Sequence, residues 1–329
     1  MRTHALVTTL LLIPALAPAG DLGPDTLRAA AQKGLRLLEK TSPTFVKKGG
    51  CNSCHNQMLP AAAQAFARQR GIATGETIFQ LPPEVSEITT ERIIEYSTFG
   101  ANSIGYELFS YGLTKRPADA RIESQVYFLK SMQQPEGFWR TAGNRPPLTF
   151  DDFTTTAYAI YALNQYTPDA QRDDSEACIA RARSWLLEAK PQTTQERAFH
   201  LLGLAWSKAG REALDRAARG LQSLQHKDGG WSQLSAMPAD AYATGMALYA
   251  LYEGSVPVTH SSYRSGLRYL LDTQASDGTW HVKARSLPVQ PYFESGYPYG
   301  HDQWISAAGT AYATMAIAAA VEPERRAQR

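Results

Sequence analysis

Apolar residues recur along this chain at helical spacing. Leu267, Leu270 and Leu271 fall on one helix face, as do Leu221 and Leu224. Small-residue stretches follow at 155–163, 243–251 and 310–318. Alanine-rich helices with large residues at helical spacing pack closely on both sides. The pattern therefore predicts αα-hairpins, each with an amphipathic outer helix and a small-residue inner one.

Between the two helices of a hairpin stands a repeated string, Q-x-x-x-G-x-W. It occurs at 133–139, 225–231 and 274–280, with the glutamines 92 and 49 residues apart. The first gap is close to two periods, and a weaker unit without the Gly or Trp fits inside it at 182–208. A period of about 45–50 residues suits a helical repeat array. Two earlier units keep only the helix pair: 27–40 with 60–70, and 91–96 with 104–112, with Gly100 between the latter two. Six hairpins can close into a double ring. An open solenoid would need polar capping repeats, and the sequence shows none. The expectation is one all-α domain, an α/α toroid, over 21–321.

The string has a structural logic. Gly lets the chain leave a helix at positive φ. The Trp ring covers the turn, and the Gln amide ties exposed backbone groups at helix ends. Nothing in it is an acid, base or nucleophile.

Three full copies at this spacing resemble the squalene cyclase / prenyltransferase superfamily. The resemblance covers roughly 115–320 and, more loosely, the hairpins before it. It implies inner helices lining a central apolar cavity that takes isoprenoid chains. Hopene-forming relatives start catalysis from an Asp in D-x-D-D-T-A. The matching string here runs from Asp152 to Ala157, with Thr154 and Thr155 at the central pair. Asp152 is thus a candidate general acid that also reads as a helix N-cap, since Asp240 recurs in the same slot of a later unit. Length allows one toroid where those cyclases carry two helical domains. Prenyltransferases of this type hold zinc through Asp, Cys and His; Cys178 lacks a D-x-C context and reads as a core thiol.

Composition narrows the partners. The hydrophobic fraction is 43%, the charged fraction 19% and the net charge +2. These values exclude a disordered tail, a collagen-like rod and a strongly basic nucleic-acid binder. Residues 1–20 read as an export signal: a short polar start, an apolar run over 5–16, then Ala17-Pro18-Ala19 as a cleavage site. The expected location is periplasmic or extracellular in a bacterial cell. Residues 322–329 read as a frayed, charged tail.

The sharpest chemical signal is Cys51-Asn52-Ser53-Cys54-His55, in a loop spanning 49–60. Two thiols at i and i+3 reach the two vinyl groups of one haem, and the adjacent His coordinates the iron. Cys51, Cys54 and His55 are therefore candidate sites for a covalent haem c, with His55 as the metal ligand. A disulfide or thiol–disulfide centre is a competing reading. A structural zinc would need four ligands, and no second C-x-x-C exists. His301, Met237 and His281 are candidates for a sixth iron ligand, and an open sixth position stays in play. The aromatic loop 291–304 is long for this fold and carries Glu294 and His301, two further candidate catalytic residues, on what also reads as a packing plug.

The function expected from the sequence is redox or haem-linked chemistry on a cyclase-like scaffold, with a periplasmic redox partner. The alternative is a terpenoid cyclase or prenyltransferase-like enzyme, or an isoprenoid binder, with an apolar small molecule in the cavity. A non-catalytic interaction module is the third class, and a filled toroid would point to it.

Overall fold

A computed structural model describes residues 22–49, 53–78, 100–143, 145–288 and 291–322. The expected export signal at 1–20, the helix at 91–96, Cys51 and the tail beyond 322 lie outside the described residues. No strand occurs among the described residues, so the all-α expectation holds.

Six helices form an inner ring: α2 (Leu59–Gln69), α3 (Gly100–Thr114), α5 (Asp152–Tyr166), α7 (Thr194–Trp206), α9 (Ala241–Glu253) and α11 (Gln303–Ala319). Five outer helices are described: α1 (Pro24–Gly49), α4 (Ala120–Ser131), α6 (Arg172–Glu188), α8 (Arg211–Gln222) and α10 (Ser261–Thr273). Each inner helix packs on the next, and α11 packs back onto α2, so the ring closes. The helices begin and end a few residues beyond the sequence-based spans; α1 extends to Gly49. The inner helices are buried along nearly their whole length. This explains their composition: a helix enclosed on all sides needs small residues where its neighbours approach.

The three Q-x-x-x-G-x-W turns repeat one geometry. Each Gln Nε2 donates to its own Gly carbonyl and to a carbonyl on the next outer helix. Those second acceptors are Cys178 on α6 (2.8 Å), Ser262 on α10 (2.8 Å) and Ala30 on α1 (3.0 Å). Each Gly packs its Cα on the same neighbour. A Cβ at Gly137 would stand 2.4 Å from Arg181 O, and one at Gly278 2.3 Å from Lys33 O. Their φ values, +102° and +94°, exclude ordinary side chains as well.

Each Trp reaches the other way. Its Nε1 donates to the carbonyl ten residues earlier on its own outer helix: Leu129, Leu221 or Leu270. Its backbone N donates to a threonine hydroxyl on the inner helix: Thr156, Thr244 or Thr310. One turn thus joins an outer helix, its inner partner and the next outer helix. Cys178 is buried as expected, and its carbonyl serves the first of these clamps.

Gly137→Ala and Gly278→Ala should each lower stability by at least about 2 kcal/mol, from positive-φ strain and a clash with a neighbouring helix backbone. Urea unfolding midpoints check this; an unchanged midpoint would remove the clamp from the account of ring closure.

Candidate functional site at the mouth of the toroid

Hydrogen bonds join the first turns of neighbouring inner helices, Asn102 to Thr155, Gln195 to Asp151 and Tyr242 to Gln195, so these N-terminal ends gather at one end of the ring. The Cys-x-x-Cys-His segment enters there. Ser53 has extended backbone (φ −121°, ψ 147°), and its Oγ accepts from Asn56 N at 3.0 Å. Ser53 N donates to Gln57 Oε1 at 2.9 Å, and Gln57 Nε2 donates to Ser42 O on α1 at 2.8 Å. This is the reciprocal logic of a capping box, one residue longer because the turn Cys54–Met58 is π-helical. Cys54 and His55 are thereby the first two residues of the helical entry into α2.

The His55 ring stacks on Trp304, 5.7 Å between centroids at 15°, and meets Phe45 edge-on at 5.2 Å. Phe293 packs on Phe45 from the last loop. His55 Nδ1 lies 2.6 Å from Asn56 Oδ1, an acceptor, which assigns the proton to Nδ1 and leaves the lone pair on Nε2. Burial drives its pKa down to about 4 against the opposing Asn56 bond, so the imidazole is neutral at physiological pH. Cys54, half-buried, lies within electrostatic reach of the Tyr106, Tyr242 and Tyr312 hydroxyls.

The carboxylates at the start of α5 occupy different roles from those expected. The N-cap is Asp151, whose Oδ1 accepts from Thr154 N at 2.7 Å. Asp152, the candidate acid, accepts from the Thr141 backbone N at 2.7 Å and ties down a loop. The cap assignment therefore shifts by one residue. Asp240 does cap α9, through Ala243 N.

Asp151 also accepts from Thr154 Oγ1 (2.8 Å) and Gln195 Nε2 (2.6 Å), while Tyr242 donates to Gln195 Oε1 (3.0 Å). Burial outweighs these bonds and pushes the Asp151 pKa up to about 6. Thr154 and Thr155 are fully buried, and Thr155 Oγ1 accepts from Asn102 Nδ2 at 3.1 Å. At the central pair where a cyclase of the resembled type carries carboxyls, this chain has hydroxyls.

Below the mouth, the ring is occupied by aromatic side chains of its own helices. Tyr158 on α5 and Tyr312 on α11 meet across it, hydroxyl to hydroxyl, at 2.8 Å. Tyr158 also packs on Tyr106 (4.7 Å), Phe109 (4.9 Å) and Phe199 (5.1 Å). Tyr312 meets Tyr242 at 5.4 Å, and Phe66 meets Tyr249 at 5.6 Å. These rings come from all six inner helices and are at most 5% exposed. Each such pair adds roughly 0.5–1.5 kcal/mol beyond its area. The open apolar cavity implied by the resemblance is thus filled at this level. At the far end, the Arg70 guanidinium covers Phe66 and Tyr252.

The other candidates scatter over the rim. Glu294 is exposed; its carboxylate accepts from Tyr292, and its carbonyl from Lys48 Nζ at 2.7 Å. His301 is exposed beside the Tyr292 ring at 4.4 Å. Neither joins Asp151 or Cys54. His281 pairs with Asp302 at 2.7 Å and stacks on Tyr299. Among the described residues, no cluster of three or more His, Cys, Asp or Glu is placed to hold a metal ion. Pattern reading missed Asp151, Gln195 and the tyrosines. The available signal was one buried Tyr within two residues of the clamp threonine in each strong unit: Tyr158, Tyr242 and Tyr312.

No family model matches the chain. Drimenyl diphosphate synthase from Streptomyces showdoensis is 28% identical over 192 residues, covering 53% of this chain and 34% of that protein. The chain thus spans about a third of that relative's length. The type II terpene cyclase MstE from Scytonema, solved with geranylgeranyl dihydroxybenzoate, has the same fold at 12% identity and TM-score 0.55, over 91% of this chain and 98% of that one. An unsaturated glucuronyl hydrolase specific for heparin superposes at TM-score 0.59 and 12% identity, over 90% and 96% of the two chains. These superpositions establish the α/α toroid fold.

His55 and Asp151 pull stability in opposite directions with pH. His55 binds its proton more weakly folded than unfolded, so its share of stability is lost as pH falls from about 6.5 through about 4. Asp151 binds its proton more tightly folded, so its share is lost as pH rises from about 4 through about 6. Asp151→Asn should make acidification between pH 6 and 4 more destabilising than in wild type, and His55→Gln less so. Denaturant unfolding across that range measures both; parallel profiles for all three proteins would refute the assignments.

Proposed function

We propose that this chain is a terpenoid cyclase-like protein that binds an apolar, isoprenoid-class molecule at the mouth of its toroid. The filled centre, the mark expected of an interaction module, excludes a ligand there, and this aromatic floor is the observation that carries the reading for the mouth. The Tyr158–Tyr312 pair and its neighbours close the ring, which stops an apolar chain at the mouth instead of admitting it to the centre. Around the mouth stand exposed apolar side chains: Phe150 at 47%, Leu287 at 86% and Tyr292 at 42% exposure. Exposed apolar groups on the loops that lead into α5 and α11 suit contact with an apolar ligand or partner. The similarity to drimenyl diphosphate synthase, and the fold shared with a cyclase solved with a geranylgeranyl compound, support the ligand class.

The chemistry of protonation-initiated cyclisation is missing from this reading. Protonating an alkene needs an unusually strong acid, made by neighbouring carboxyls that sharpen one of their number. Asp152 is committed to the Thr141 backbone, and the central pair is threonine. Asp151, a buried carboxyl at the mouth, is shifted to about 6, in the direction of a weaker acid. In this reading the described residues bind and orient the ligand, and none among them is set up as the initiating acid.

A covalent haem c is a second reading, favoured by one specific feature of His55. An iron-ligating histidine presents a neutral ring whose other nitrogen is hydrogen-bonded, which fixes the tautomer. His55 has this form: a depressed pKa, Nδ1 tied to Asn56 and the lone pair on Nε2. The donor set fits the group. Cys54 and the neighbouring Cys51 would bind haem through thioethers, and His55 would ligate the iron, giving the chain an electron-transfer centre. Export beyond the inner membrane and a redox partner belong to this second reading.

Titration with geranylgeraniol should quench tryptophan fluorescence saturably, and Trp304→Phe should remove most of the change. No saturable binding, or a cyclised product from geranylgeranyl diphosphate that Asp151→Asn or Asp152→Asn abolishes, would overturn the binder reading. Co-expression with a c-type cytochrome maturation system separates the second. A Soret band that survives acid–acetone extraction supports it; a colourless protein with Cys51 bonded to Cys54 sinks it.

A further inference from the structure

The clamp joins α4 to α6, α8 to α10, and α10 to α1. The fourth hairpin carries no such turn. Residues 189–193 lead directly from α6 into α7, whose start is closed by a capping box between Thr193 and Glu196. Nothing of the Gln–Gly–Trp kind draws α6 against α8. A cavity of about 350 Å³ lies there, walled by the end of α6 and one face of α8 and floored by α7.

Its lining is of two kinds. Leu186, Leu204 and Ala217 give apolar walls, and Lys190, Arg197 and Arg216 give positive charge; no carboxylate is among the lining residues. Arg197 projects from α7, and its Nη1 donates to Gly220 O on α8 at 3.1 Å. The Arg197 Nε is buried and has no protein acceptor. Arg216 has only a loose surface pair with Glu212, at 3.6 Å, with both side chains mostly exposed. The exposed Arg216 guanidinium beside an apolar cleft matches an anionic head on an apolar tail.

We infer that the cleft between α6 and α8 is a binding site for a small amphipathic anion, an apolar chain ending in a carboxylate or phosphate. The site lies between α6 and α8 and uses none of the residues invoked at the mouth. The missing clamp leaves room for the tail, and Arg197 and Arg216 receive the head.

Calorimetric titration of the full chain with octanoate, octyl phosphate and octanol tests this. The expected result is saturable binding of at least one anion, with octanol at least about tenfold weaker, and the tighter anion identifies the head group. Ala217→Trp fills the cleft and should abolish binding. Arg216→Glu, on an exposed position that does not risk folding, should weaken it roughly fivefold to tenfold. Circular dichroism confirms the fold of each variant. Absence of saturable binding, equal binding of octanol, or anion binding that neither variant changes would overturn the inference.

Discussion

The backbone clamp at the Q-x-x-x-G-x-W turn is the constraint on which the rest of this molecule depends. A ring of helices has no single hydrophobic face that fixes its closure; each hairpin must be set relative to the next. The glutamine does this by donating to a carbonyl one helix away. The glycine permits backbone contact with that helix, and the tryptophan N–H groups hold the inner helix and the hairpin's own outer helix. The last clamp lands on α1, so the final hairpin is fastened to the first. A buried backbone group left without a partner costs about as much as a lost hydrogen bond, so these paired groups resist slippage.

Closure fixes what the centre contains. Six small-residue helices brought this near one another leave room for one large residue or two per turn, and in this chain those are tyrosine and phenylalanine. Burial keeps the tyrosine hydroxyls protonated, with pKa values pushed well upward, so they act as donors. Tyr158 and Tyr312 satisfy each other, and Tyr106 donates to Leu148 O on a mouth loop. The toroid thus closes while its centre is spent on packing. Among the described residues, Asp151, His55 and Cys54 lie at the mouth, beside the loops. Fold likeness alone assigns no reaction, since a hydrolase shares the same toroid.

Much of this was legible in the chain. The three Q-x-x-x-G-x-W strings marked the repeat and its turn geometry, because backbone requirements act locally and leave residue-type marks. The absence of the central carboxyl pair was legible for the same reason. Less legible was which of two adjacent aspartates caps α5. Both suit a helix start, and the choice fell to Asp151 because Thr141 N, 11 residues earlier in the same connection, claims Asp152. The scatter of Glu294 and His301 away from Asp151 likewise followed from how the last loop folds over α11, with Gln303 holding Ser295 and Phe293.

The sequence by itself determined the repeat, its period, its turn chemistry and the Cys-x-x-Cys-His signature, since each depends on spacing within a few residues. Tertiary structure alone decided that the ring is filled, that His55 is neutral between Trp304 and Phe45, and that a cleft opens where one clamp is missing. These depend on which side chains arrive from helices tens to hundreds of residues apart. Burial among such neighbours, which no local pattern records, is what moves a pKa or closes a cavity.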